Sequence, residues 1–123
     1  MSRPKTIICD IDGTLIEHIT GPFELFNKTV KQKLLPGVKE KFDEWDSKSY
    51  KIILLTGRKE SMRDQTIKQL SELGIFYDQL VMGVGGGARV LINDLKPRDN
   101  HPDNPTAIAI NINRNEGLNS IKI

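Results

Sequence analysis

The sequence predicts an α/β fold built on an open, mainly parallel sheet, and three observations carry that reading. Short runs rich in Ile, Leu and Val alternate with two stretches whose apolar residues recur at helical spacing. The runs are apolar at successive positions, as strands buried on both faces should be. Each run also ends in polar residues. In an open α/β sheet the carboxyl ends of the strands are where ligands bind.

Size and composition bound the answer before any motif is read. A chain of 123 residues suits a single domain, here taken as 1–123, large enough for a real core. With 37% hydrophobic and 28% charged residues it has an ordinary soluble composition. The net charge of +2 makes no electrostatic case for a nucleic-acid partner. The single cysteine excludes an internal disulfide and suits a reducing cytoplasm, which is the expected location. No apolar stretch approaches the ~20 residues of a membrane span, so no membrane partner is expected. Met1–Lys5 runs straight into a strand and is read as carrying no signal peptide.

The first strand is Thr6 to Asp10, inside Cys9-Asp10-Ile11-Asp12-Gly13-Thr14-Leu15. Asp10 and Asp12 fall where that strand stops, and Gly13 permits a sharp turn there. Two aspartates this close repel, and a hard divalent ion such as Mg²⁺ would neutralise them through oxygen ligands. An Asp-Gly turn closing a hairpin is the plainer alternative. Residues 16–35 lack strong periodicity and read as a flap or short hairpin beside the site. His18 falls there and reads as a solvated loop residue, although histidine can shuttle protons at neutral pH.

Pro36-Gly37 marks a boundary before a helix from Val38 to Ser47, with Val38, Phe42 and Trp45 on its apolar face. Lys51 to Leu55 is the second strand, ending in Thr56-Gly57-Arg58. A second helix follows over 59–73, with Met62, Thr66 or Ile67, Leu70 and Leu73 inside and Gly74 as its cap. A third strand is expected near Gln79 to Met82. The glycine-rich stretch 83–87 lacks the Lys-Ser/Thr ending of a nucleotide-binding P-loop. Arg89 to Asn93, ending in Asp94, reads as a fourth strand, and Thr106 to Asn111 as a fifth. The polar tail 113–123 holds at most one helical turn. The link from Met82 to Arg89 is too short for a helical crossover, which predicts an irregular third strand.

On this layout Asp10, Asp12, Thr56, Arg58 and Asp94 converge on one rim. Carboxylates, a hydroxyl and a guanidinium together suit metal-assisted phosphoryl transfer. One aspartate can act as nucleophile, and a second two residues on can protonate the leaving group and activate water.

Asp10-Ile11-Asp12-Gly13-Thr14-Leu15 resembles the first motif of the haloacid dehalogenase superfamily of phosphohydrolases. Leu54-Leu55-Thr56-Gly57-Arg58 is similar to its second, and Leu91-Ile92-Asn93-Asp94 with Asp99 to its fourth. The resemblance implies a Rossmann-like three-layer α/β domain, without a large cap because the interval between the first two motifs is too short. It implies Asp10 as nucleophile and Mg²⁺ ligand, and Asp12 as general acid/base with its backbone carbonyl on the metal. Asp94 would be a further metal ligand, and Asp99 would support the metal. Thr56, the Gly57 amide and Arg58 would meet phosphate or substrate.

The family's third motif, a lysine, has no counterpart here; Arg89 is the first substitute and Lys96 the second. A capless site implies either a macromolecular substrate or a second copy of the chain as a lid. Residues 89–97 are similar to small phosphatase-like proteins associated with capsule and surface-sugar biosynthesis. The expected function is Mg²⁺-dependent phosphomonoester hydrolysis of a sugar phosphate or related metabolite. The Thr-Gly-Arg motif also resembles the phosphatase halves of polynucleotide-end-repair proteins, so a 3′-phosphatase is an alternative. A catalytically weak protein that binds a phosphorylated ligand or a protein partner is another.

Overall fold

Three of the expected strands form and lie side by side as the parallel sheet that their apolar runs require. The computed structural model describes residues 3–18, 31–95 and 106–123. Strand β1 is Thr6–Asp10, helix α1 is Val38–Ser47, β2 is Lys51–Leu55, α2 is Arg63–Glu72 and β3 is Gln79–Val81. A 3-10 turn, Glu60–Met62, leads into α2. The sheet order is β1-β2-β3, with Cys9 beside Leu54 and Leu54 beside Leu80. No helix among the described residues is long and apolar enough to cross a membrane.

Both crossovers step in the same direction across the sheet, so the right-handed rule puts both helices on one face. Burial agrees. Ile7, Cys9, Ile52 and Leu54 point into one cluster with Val38, Phe42 and Trp45 of α1 and Leu70 of α2. Trp45 is 2% exposed and tilts against Phe42 with ring centroids 5.2 Å apart. Burying each such large apolar side chain stabilises the fold by roughly 1.5–3 kcal/mol. On the opposite face Ile8 remains 48% exposed. Gly74, at φ +75, ends α2 in the left-handed conformation expected of a capping glycine.

The expected fourth and fifth strands do not form. Residues 89–94 and 106–111 contribute no strand, and Val90, Ile92 and Ile108 are 80%, 90% and 71% exposed. The reason is the connection. A parallel neighbour needs a crossover of a dozen residues or so, and the short link from Met82 to Arg89 cannot carry the chain back to the free side of β1. The two segments meet instead through Asn93, whose Nδ2 donates to Thr106 Oγ1 at 2.7 Å. The Thr106 hydroxyl donates in turn to the Asp94 backbone carbonyl.

The flap expected over 16–35 starts and ends in an antiparallel bridge between Ile16 and Leu34, and its residues 19–30 lie outside the described residues. The tail forms hydrogen-bonded turns at 113–116 and 118–121 and no helix. It folds back on the start of the chain, with Leu118 buried at 2% and its amide donating to the Pro36 carbonyl at 2.8 Å.

Candidate active site

In the sheet register Asp10, Leu55 and Val81 stand level, so the segments leaving the three strands share one rim. The loop after β1 is a tight one. Gly13 turns it at φ +86, with the Gly13 amide donating to Ile16 O at 2.8 Å and the Leu15 amide to Ile11 O at 2.9 Å. Ile11, Leu15 and Ile16 are fully buried and fix the loop to the core, leaving Asp10, Asp12 and Thr14 at the surface of the rim. The segment after β2 is zipped to the glycine-rich stretch. Val84 N donates to Thr56 O at 2.9 Å and Gly83 N to Arg58 O at 2.7 Å. A side chain at Gly57 would stand 3.2 Å from the Val84 carbonyl, so only glycine fits this approach comfortably.

Arg58 was expected on phosphate or substrate; the structure turns it inward. Its Nε donates to Asp12 Oδ2 at 2.9 Å and its Nη2 to Asp12 Oδ1 at 2.8 Å, a bidentate pair. Nη2 also donates to Gln32 Oε1, and Nη1 to Thr66 Oγ1 and Gln69 Oε1. These bonds use all five N–H groups of a guanidinium, so none is left for a phosphate. Gln32 closes the network by donating to Asp12 Oδ1 at 3.1 Å. Thr56, also buried, accepts a bond from the Arg58 backbone amide at 3.1 Å, which leaves its hydroxyl proton to donate.

Asp10 is raised above its ordinary 3.8, first by the water it loses in its setting and then by the charge of Asp12. The Ile11 backbone amide, the positive charge of Arg89 and the Thr14 hydroxyl pull the other way. Arg89 therefore stands where its charge reaches Asp10, with Nη1 donating to the carbonyls of Gly85 and Gly87 at 2.9 and 2.8 Å.

Among the described residues no group of three His, Cys, Asp or Glu is assembled to hold a metal. Lys96 and Asp99 lie outside the described residues. The donors at the rim nevertheless fit Mg²⁺. Asp10 offers a carboxylate, and the Asp12 backbone carbonyl accepts no backbone hydrogen bond among the described residues. Mg²⁺ is commonly held by one or two carboxylates, with water and substrate phosphate completing its shell.

Beside the two aspartates opens a cleft of about 310 Å³, lined by Asp10, Asp12, Gly13, Thr14, His18, Ile112 and Arg114. His18 thus belongs to the cleft wall, where the sequence had suggested only a solvated loop. Arg114 had no signal at all, since it sits in a polar tail far from the first motif. Gln32 and Gln69 were equally invisible as polar residues within a loop and a helix, whereas Thr66 was expected on the inner face of its helix and is buried there, its bond to Arg58 being the part without a signal.

A strand-end Asp-x-Asp and a Thr-Gly-Arg on one rim of a parallel sheet define a phosphohydrolase fold of the haloacid dehalogenase class. The family model described as "Polynucleotide kinase PNKP phosphatase domain" matches residues 4–88, over half of the sequence, and the chain belongs to that family. Among solved structures, it is similar to a chain of the Pnkp1/Rnl/Hen1 complex at 31% identity and TM-score 0.54, covering 72% of this chain and 31% of that one. A chain of the Pnkp1/Rnl/Hen1 RNA repair complex matches at 31% identity and TM-score 0.53, covering 70% and 28%. D,D-heptose 1.7-bisphosphate phosphatase from B. bronchiseptica, complexed with magnesium and phosphate, is similar at 17% identity and TM-score 0.42, covering 67% and 51%. The chain spans less than a third of the length of the first two solved chains. No curated protein matches it.

Proposed function

We propose that the protein hydrolyses phosphate monoesters, with Asp10 as nucleophile and Asp12 as general acid and base. The observation that supports this most directly is the division of labour between the two aspartates. Asp10 stands at the exposed rim, whereas Asp12 is held in one orientation by the Arg58 fork. An Asp10 oxygen attacks the phosphorus in line, forming an aspartyl-phosphate as the ester P–O bond breaks. The leaving alkoxide takes a proton from Asp12, which enters the cycle protonated and regains its proton from the attacking water. Asp12 then removes a proton from water as that water attacks the aspartyl-phosphate, releasing inorganic phosphate and restoring Asp10. Oδ2 is the oxygen suited to this work, because it accepts one hydrogen bond while Oδ1 accepts two. Mg²⁺, held by the Asp10 carboxylate and the Asp12 carbonyl, would neutralise charge on the phosphoryl oxygens.

Family membership favours the 3′-phosphate of a polynucleotide as substrate, over the sugar phosphate suggested by residues 89–97. The test is hydrolysis of p-nitrophenyl phosphate, a panel of sugar phosphates and 3′-phosphorylated oligonucleotides, with Mg²⁺ and with chelator. Metal-dependent turnover that disappears in Asp10→Asn is expected, greatest on the oligonucleotides. Highest turnover on a sugar phosphate would reverse the substrate assignment. Silence across the whole panel would overturn the hydrolase reading and leave a phosphate-binding or partner-binding role.

A further inference from the structure

We infer that Arg114, carried to the rim by the carboxyl-terminal segment, is the side chain that grips the phosphoryl oxygens of the substrate. This rests on the phosphomonoester reading and supplies what that reading lacks. Two carboxylates face a substrate that is itself an anion, so a cationic side chain that holds the phosphoryl oxygens would add to the neutralisation that Mg²⁺ would supply. Arg58 cannot hold them, because its five donors are spent. Arg89 acts on Asp10 by its charge, with Nη1 tied to the carbonyls of Gly85 and Gly87 and, among the described residues, Nε and Nη2 left as its open donors, so any grip it has on phosphate adds to that of Arg114.

Arg114 is placed differently. It lines the same cleft as Asp10 and Asp12, and its stem lies against Gly13. A β-carbon at Gly13 would stand 3.2 Å from Arg114 Cγ, so the glycine makes room for the arginine as well as for the turn. Among the described residues no carboxylate forms a salt bridge with Arg114, and its guanidinium donates no hydrogen bond to them. An exposed arginine with an open fork, lining the same cleft as two acids, is suited to bidentate phosphate recognition.

The segment carrying it is anchored on both sides. The Asn115 amide donates to Gly13 O at 2.8 Å, and the His18 amide donates to Asn115 Oδ1 at 2.7 Å. Asn115 takes φ +64, a left-handed geometry that asparagine tolerates better than most residues. Beyond it, Gly117 at φ +88 packs on Pro36, and Leu118 is buried and bonded to the Pro36 carbonyl. Lys41 Nζ adds a bond to Ile121 O at 2.8 Å. Arg114 therefore projects from a clamp tied to the catalytic loop and to the start of α1.

The experiment compares wild type, Arg114→Ala and Arg114→Lys by kcat/KM on the best substrate of the panel and by calorimetric binding of inorganic phosphate. Arg114→Ala should lower kcat/KM about 10²–10³-fold, the usual loss when one oxyanion-binding donor is removed. It should weaken phosphate binding at least tenfold, with an unchanged melting temperature, because the side chain is exposed. Arg114→Lys should fall between, and added guanidinium should restore part of the Arg114→Ala activity. An alanine variant within twofold of wild type in both readouts overturns the inference while leaving the hydrolase reading intact. Arg114-dependent phosphate binding by a wild type that hydrolyses nothing overturns the hydrolase reading and retains the phosphate site. A wild type that neither binds phosphate nor hydrolyses an ester overturns both.

Discussion

Arg58 holds Asp12 by two near-parallel hydrogen bonds, at 2.9 and 2.8 Å, across 46 positions of sequence. The arginine side chain is only 4% exposed and the aspartate 21%, so the pair is largely withdrawn from water. Removing one partner of such a pair costs about 3–5 kcal/mol, because the other charge stays buried without compensation. Arg58→Ala should lose that much in urea denaturation. Arg58→Lys, which keeps the charge but not the fork, should fold and lose kcat far more than KM. A change confined to KM would put Arg58 on the substrate after all.

Asp10 is raised above 3.8 in the fold, so the folded state binds its proton more tightly than the unfolded state does. Stability from this group therefore declines as pH rises through 3.8 towards the raised value, and above both values the ionised carboxylate is a net cost. Asp10→Asn should accordingly melt higher than wild type at pH 7 in metal-free buffer while losing hydrolysis. An equal or lower melting temperature would contradict the raised value.

A side chain at Gly117 would run into the Pro36 carbonyl and would have to adopt φ +88. Gly117→Ala should cost at least roughly 1–3 kcal/mol from backbone strain alone. Because the clamp carries Arg114, phosphate affinity should fall with it. Thermal melts and phosphate titration of the same variant check both halves.

Burial pushes the Cys9 thiol up to about 12, with Asp10 adding to the effect. The thiol should resist a disulfide reagent at pH 8 in native protein and react at once in denaturant. Its contribution to stability is intact below the ordinary 9.0 and is lost as pH rises towards 12, since the unfolded thiol ionises first. Fast labelling of the native protein would show that β1 opens readily.

Local pattern was enough for β1, α1, β2 and α2, because each depends on residues close together in sequence. Val38, Phe42 and Trp45 make a helical stripe whatever surrounds them, and all three are buried. The same logic placed Asp10 and Asp12 beside Thr56 and Arg58, since a parallel register aligns the ends of neighbouring strands. It failed for 89–94 and 106–111, where β-branched runs had the propensity for strand but no partner within reach of a short link. It failed too for Arg58, whose role depends on Asp12, Gln32, Thr66 and Gln69 converging from separate segments.

The apolar runs and the strand-end motifs of the chain thus determined the parallel sheet and the identity of its acidic rim. Tertiary structure alone decided which cations serve that rim. Arg58 was drawn into the core by partners that spend all its donors, and Arg114 was carried to the cleft by a hydrogen bond between Asn115 and Gly13. Such a pairing leaves no periodic trace in the sequence, because it is set by where the folded chain returns and not by what neighbours each residue along it.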